Sequence, residues 1–234
     1  MNYNFNWMVL WDYRELLIQG LIITLKLSIT SIILSTVIGI ILGILRLAKN
    51  LAVRLVASAY VEFFLNTPLI IQLFFWYFAL PMIFPEPVQM WLWEHNYEFI
   101  SAVIGLTIYT STFIAEAVRA GIQSIDKGQQ EAALASGLSD FQTMWYVILP
   151  QAIRVVIPPI CNQFLNLTKN SSLAMTIAVP ELTHQAQAIE ALTFRGFEAF
   201  TAATLIYIAL TITISLLMSR IERWSAKGQQ IVTA

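Results

Sequence analysis

Long apolar stretches dominate this sequence of 234 residues and limit the folds that it can adopt. A helix needs about 20 mostly apolar residues to cross the roughly 30 Å of hydrocarbon in a bilayer. Five stretches approach or exceed this length, at 21–45, 55–80, 99–118, 152–167 and 200–219. Because a lipid environment leaves unpaired backbone groups without partners, we predict an all-α integral membrane protein with five transmembrane helices.

The composition supports a membrane protein. Hydrophobic residues make up 58% of the chain and charged residues only 12%, whereas soluble domains carry about 25% charged residues. The net charge of −1 gives no basis for a nucleic-acid partner, and two histidines with one cysteine predict no metal site. The expected environment is therefore the lipid bilayer.

The basic residues are distributed unevenly between the loops and predict an orientation, because Lys and Arg are enriched on the cytoplasmic side. They flank the first, third and last spans at Arg46, Lys49, Arg54, Arg119, Lys127, Arg220 and Arg223, whereas the loop 81–98 contains none. We predict a periplasmic interfacial segment at 1–20 and a transmembrane domain at 21–220. A cytoplasmic tail is predicted at 221–234.

The loop 126–150 is unusually polar for this chain and is predicted to be cytoplasmic. Asp126 is positioned to cap a first short helix, and Gly137 to end it in a left-handed conformation. Ser139 and Gln142 form the pattern of a capping box for a second helix, predicted to end before Pro150. Two interpretations remain open: the loop folds against its own spans, or it inserts into a partner protein.

The spacing of small residues in this loop resembles the EAA loop of permease subunits of ATP-binding-cassette importers. The matching positions are Glu131, Ala132, Ala133, Gly137, Leu149 and Pro150. "YVEFFLNTPLIIQLFFWYFALP" and "PQAIRVVIPPICNQFLNLTKNSSLA" are similar to polar amino acid permeases, so the resemblance covers nearly the whole chain. Leu65 departs from that pattern, which usually has Arg there. The resemblance implies the type I importer permease fold in the bacterial inner membrane, with ATPase coupling through these loop positions.

The resemblance also implies partners. An ATPase dimer would dock on the loop, a periplasmic binding protein would deliver cargo, and a second permease, a sister or an identical chain, would complete the pathway. The sequence contains no GxxxxGK[ST] phosphate-binding motif. We therefore expect a non-catalytic subunit that binds no cofactor, with ATP and Mg held by the partner.

The cargo implied by the resemblance is a polar amino acid, and overall similarity favours glutamate or aspartate. Basic or other polar amino acids remain alternatives. A secondary transporter or channel is the competing class, but such proteins often contain internal repeats, and none is visible here.

Polar residues inside the second span form the first candidate cargo site, because such groups are costly in lipid and are often functional. Asn66 and Thr67 precede Pro68 in mid-span, and Gln72 follows. They either line a cavity or restore the hydrogen bonding of a kinked helix.

The second candidate group follows the fourth span. Lys169, Asn170, Ser171 and Ser172 offer donors that suit a carboxylate, and either serine is placed to cap a following helix. The alternative is an ordinary helix cap with a snorkelling lysine. Glu116 is a further candidate, for the cargo ammonium or for an ion pair with Arg119 one turn later.

Overall fold

The computed structural model describes residues 3–226, and its regular structure in that range is entirely helical. Four stretches are each long and apolar enough to cross a membrane, which confirms the predicted all-α membrane class. They are α2 (Arg14–Leu45), α6 (Tyr97–Gln123), the stretch Asp140–Ile177 that contains α9 (Leu149–Asn170), and α11 (Gly196–Ala226).

The helix ends differ from the predicted segment boundaries. A short helix, α1 (Met8–Asp12), precedes α2, and α2 begins at Arg14, inside the segment predicted to lie at the interface. At the other end, α11 continues to Ala226 and takes up the first part of the predicted tail. The rest of that tail, 227–234, lies outside the described residues.

The second predicted span is broken in the middle. It consists of α3 (Leu51–Leu65) and α4 (Leu69–Phe74), and α4 continues through a π turn at Phe75–Ala79 and a 3-10 turn at Leu80–Ile83. The two halves are bent by 102°, and a count of five spans requires treating this pair as one. The connection to α6 contains α5 (Glu86–Glu94).

Helices α2 and α6 form the closely packed centre of the domain. The face of α2 toward α6 carries small buried residues, including Ser31, Ser35, Gly39 and Gly43. A Cβ atom on Gly39 would lie only 2.6 Å from the Cβ of Ile114. Small residues let membrane helices approach until their backbones are nearly in contact, so this pair provides a rigid frame for the other elements.

The N-terminal residues and α10 (Leu182–Thr193) close one end of the domain. Residues Leu182, Ala186 and Ile189 are fully buried in a cluster that includes Leu17 of α2. The Glu198 carboxylate at the start of α11 accepts hydrogen bonds from the Asn6 backbone N–H, at 2.7 Å, and from the Tyr3 hydroxyl. The beginning of the chain is therefore fixed to its last helix.

The prediction that the second helix of the loop ends before Pro150 is wrong. α8 (Asp140–Thr143) passes into a π turn at Met144–Ile148, and α9 begins at Leu149 without a break in the helical path. Proline is tolerated in the first turn of a helix, where its missing N–H is not needed. Pro150 sits in that turn, and the π turn rearranges the backbone hydrogen bonds just before it.

Candidate functional site

Side chains at the break between α3 and α4 hydrogen-bond to backbone carbonyls of the last turn of α3 and of Thr67. Asn66 Nδ2 donates to the Glu62 carbonyl at 2.7 Å, and Thr67 Oγ1 donates to the Phe63 carbonyl at 2.7 Å. Gln72 Nε2 reaches back to the carbonyls of Phe64, at 2.9 Å, and Thr67, at 3.1 Å. The donor groups of all three predicted cargo residues are thus used to hold the bend.

An apolar cavity of about 280 Å³ lies inside this bend. Its walls are mostly aromatic and aliphatic, from Phe63, Phe64, Thr67, Ile71, Gln72, Phe75 and Trp76. Gln72 is only 3% exposed, and within residues 3–226 its Oε1 atom has no hydrogen-bond partner. The bend therefore offers one buried acceptor behind an apolar wall, and Asn66 remains exposed beside it.

A polar face runs along α9, and much of it was not predicted. Asn162, Asn166 and Lys169 recur at helical spacing and are all exposed, and the half-buried Gln163 and Asn170 lie beside them. Amides and a cation facing hydrocarbon are costly. This face therefore requires a water-filled space or another protein chain beside it. The polar residues Asn162, Asn166 and Lys169 are spaced by four and then three positions, and this spacing was the signal in the sequence that could have predicted the face.

The segment after α9 corrects one prediction. The chain tightens into a 3-10 turn at Ser171–Ile177, so neither serine begins a new helix with free N–H groups. Ser171 Oγ donates to the Thr168 carbonyl and Ser172 Oγ to the Lys169 carbonyl, both at 2.8 Å. The prediction that a serine caps a following helix is wrong, because both hydroxyls bind the preceding turn.

Glu116 lies in an ion cluster that joins three helices. Arg119 binds it from the same helix, which confirms the predicted pair. Arg46, at the end of α2, adds an unpredicted contact of 2.7 Å from Nη1 to Glu116 Oε2, and its Nη2 lies 3.1 Å from Glu62 Oε1. Both carboxylate oxygens of Glu116 thus face guanidinium groups in this conformation.

The loop 126–150 folds as its cap signals predicted. Asp126 accepts a hydrogen bond of 2.6 Å from the Gly128 N–H and begins α7 (Lys127–Ala135). Gly137 has a φ of +89° and ends the first helix, and Ser139 and Gln142 make both hydrogen bonds of a capping box. These local interactions fix a sharp turn between two short helices.

The surface of this loop is largely open. Ala133 is the buried residue of α7, whereas Glu131, Ala132 and Gly137 are exposed. Leu149 is half-buried and Pro150 exposed where α9 begins. Phe141 and Trp145 are stacked at 6.3 Å between ring centroids and are 75% and 56% exposed. A small-residue helix beside exposed aromatic rings is a surface typical of a protein interface.

Comparison with known proteins gives consistent matches over most of the chain. The family model for "Binding-protein-dependent transport system inner membrane component" matches residues 35–227. The glutamate/aspartate import permease protein GltJ of Escherichia coli strain K12 is 39% identical over 209 residues, which cover 88% of this chain and 85% of the relative.

A second relative and a solved structure extend these matches. The probable glutamine ABC transporter permease protein GlnM of Bacillus subtilis strain 168 is 39% identical over 215 residues, covering 92% of this chain and 95% of the relative. The crystal structure of an amino acid ABC transporter with histidines matches with a TM-score of 0.84 and 34% identity, covering 94% of this chain and 99% of that one.

Proposed function

Because the chain belongs to the family of binding-protein-dependent transport system inner membrane components, we propose that it imports glutamate and aspartate into the cytoplasm. The chain is a multi-pass permease subunit of a polar amino acid ATP-binding-cassette importer in the bacterial inner membrane, with the type I permease fold. ATP hydrolysis belongs to a separate subunit. We propose in addition that the cargo is acidic, which residues bind it, and how the partner subunits are arranged.

The polar face of α9 is the observation that carries the cargo proposal. Lys169 is an exposed cation on that face, and Asn162 and Asn166 continue it along the helix with amide groups. The α-carboxylate that every amino acid carries is bound well by a cation with neighbouring N–H donors. Similarity to the glutamate/aspartate import permease GltJ supports the acidic side chain. We place Lys169 and Asn170 in contact with the cargo, with Ser171, Ser172, Asn66, Thr67, Gln72 and Glu116 as further candidates.

The same face supports a second permease subunit, either a sister chain or a second copy. A single set of these helices leaves the amides of α9 open on one side. A second permease would cover that side and enclose a polar pathway between the two chains. A periplasmic binding protein would deliver the amino acid to this pathway.

The exposed loop supports docking of the ATPase dimer, which would bind ATP and Mg while this chain binds no cofactor. Glu131, Ala132, Ala133 and Gly137 would lie at the contact, and Leu149 and Pro150 would join it to α9. Docking of an ATPase places this loop in the cytoplasm, with the N-terminus in the periplasm and the C-terminus in the cytoplasm. The basic residues near the loop agree with that orientation.

The cargo proposal is tested with the complete importer in vesicles, by competition against uptake of labelled glutamate. We expect glutamate and aspartate to compete and arginine not to compete. Inhibition by arginine or glutamine without inhibition by aspartate would overturn the acidic assignment.

Substitution of Lys169 tests the site itself. We expect Lys169→Ala to raise the KM for glutamate about tenfold, since a hydrogen bond to a charged group contributes about 1.5–3 kcal/mol. Lys26→Ala is the matched control, because Lys26 is also an exposed lysine but lies on α2, outside the polar face of α9. Unchanged uptake kinetics in Lys169→Ala would remove Lys169 from the site.

A further inference from the structure

A series of polar contacts runs from the break in the second span to Gln123, the last residue of α6, which lies three positions before the loop 126–150 begins. From this series we infer that Arg46 and Glu62 are positioning residues, which transmit movement between the ATPase-docking loop and the bend at Asn66–Pro68. The inference rests on the proposed docking of the ATPase at the loop. Neither residue is itself a proposed docking or cargo residue, but Arg46 binds Glu116 and the Glu62 carbonyl accepts from Asn66, which are both further cargo candidates.

The centre of the series is Arg46. It lies just after the last residue of α2, and its side chain is only 7% exposed. Each of its two terminal nitrogens binds a different carboxylate. Nη1 lies 2.7 Å from Glu116 of α6, and Nη2 lies 3.1 Å from Glu62 of α3. One guanidinium therefore holds three helices together through a planar fork, a geometry that a lysine cannot reproduce.

One end of the series reaches the bend. Glu62 is one turn before Asn66, and its carbonyl accepts the hydrogen bond from Asn66 Nδ2 at 2.7 Å. A shift of Glu62 toward or away from Arg46 would therefore also move the carbonyl to which Asn66 is hydrogen-bonded. The side chain of Glu62 is 58% exposed, so it has room to move.

The other end reaches the loop. Arg119 binds Glu116 and also donates to Gln123 Oε1 at 2.6 Å. Gln123 is the last residue of α6, and Asp126 caps α7 three positions later. A displacement of α7 would thus be passed to α6, then to Glu116, and through Arg46 to Glu62.

Ion pairs with one buried partner suit this role because they are sensitive to small displacements, and Arg46 is that buried partner here. Removing one partner of a partly buried pair leaves a charge without compensation, so the cluster favours complete arrangements over intermediate ones.

The test uses Glu62→Gln in the complete importer, with the ATPase rate measured with and without cargo-loaded binding protein. The variant keeps the side-chain shape and leaves the Arg46–Glu116–Arg119 contacts in place. We expect stimulation by the binding protein to fall about tenfold, a typical coupling factor, while the basal rate is retained. Arg220→Gln is the control, because Arg220 is an exposed charged residue of α11 that lies outside both the series and the loop 126–150. Its stimulation should be unchanged.

A double-mutant cycle with Arg46→Gln separates coupling from general damage. If the two residues act through each other, the double variant should lose no more stimulation than Arg46→Gln alone. Additive losses, normal stimulation in Glu62→Gln, or failure of Glu62→Gln to assemble would each overturn the inference. If the binding protein does not stimulate the ATPase even in the unmodified importer, the proposed docking of the ATPase on the loop is overturned. The failure of that proposal is thereby distinguished from the failure of the inference about Arg46 and Glu62.

Discussion

Helices α2 and α9 are both membrane-spanning candidates that carry polar side chains, but the two helices differ in whether those side chains are buried. α2 directs Ser31, Ser35, Gly39 and Gly43 against α6, where they are buried. α9 leaves Asn162 and Asn166 exposed along one face. These two serines are therefore enclosed within this chain and serve close packing: Ser35 Oγ donates to the Ile32 carbonyl at 3.2 Å, and Ser31 Oγ has no hydrogen-bond partner among the described residues. The amides of α9 depend instead on water, cargo or another subunit. Close packing thus belongs to α2, and the proposed transport pathway to α9.

The largest expected effect comes from breaking the α2 side of this comparison. A methyl group added in Gly39→Ala would lie 2.6 Å from Ile114 Cβ and 2.9 Å from the Ser111 carbonyl oxygen. Because backbone must move to make room, we expect a loss of about 2 kcal/mol in stability. Thermal unfolding of the purified permease in detergent measures this loss. Val37→Ala, on the exposed side of the same helix, is the control and should leave the melting temperature nearly unchanged.

A second glycine sharpens the contrast, because Gly137 has nothing within 4 Å of an added Cβ. Its left-handed backbone, with φ of +89°, makes any side chain strained by roughly 1 kcal/mol. We expect Gly137→Asp to insert in the membrane normally but to lose ATPase coupling, since the new charge would face the docked subunit. Membrane yield and ATPase stimulation are the two measurements. Ser136→Ala is the neighbouring control, and normal transport by Gly137→Asp would remove the docking assignment.

These two glycines also show what the sequence could and could not predict. The end of α7 at Gly137 and the caps at Asp126 and Ser139 depend on neighbouring residues, and all three are confirmed. The apolar stretches likewise predicted the membrane class from local composition. The continuation of the helix through Pro150 was missed because the π turn before it changes the backbone hydrogen bonding, and no residue type is a reliable sequence signal for such a turn.

Tertiary contacts account for the other misses. The pair Arg46–Glu116 joins residues 70 positions apart, so the sequence revealed only the local pair with Arg119. Asn66, Thr67 and Gln72 were singled out as polar residues inside a span, but the hydrogen bond from Gln72 back to the Phe64 carbonyl depends on the 102° bend between α3 and α4. The spacing of the polar residues along α9 can be seen in the sequence, but their exposure depends on how the other helices pack.

The smallest change in the isolated chain is expected on the α9 side, in Asn166→Leu. Because Asn166 is exposed, we expect its replacement to alter the stability of the purified permease by no more than about 0.5 kcal/mol. In the complete importer the same variant should lower glutamate uptake about tenfold, since a polar group of the pathway is lost. Ile153→Leu, exposed elsewhere on the same helix, is the control for both measurements. Reduced stability with normal uptake would mean that α9 resembles α2 after all, with its amides serving packing and the pathway lying along another helix.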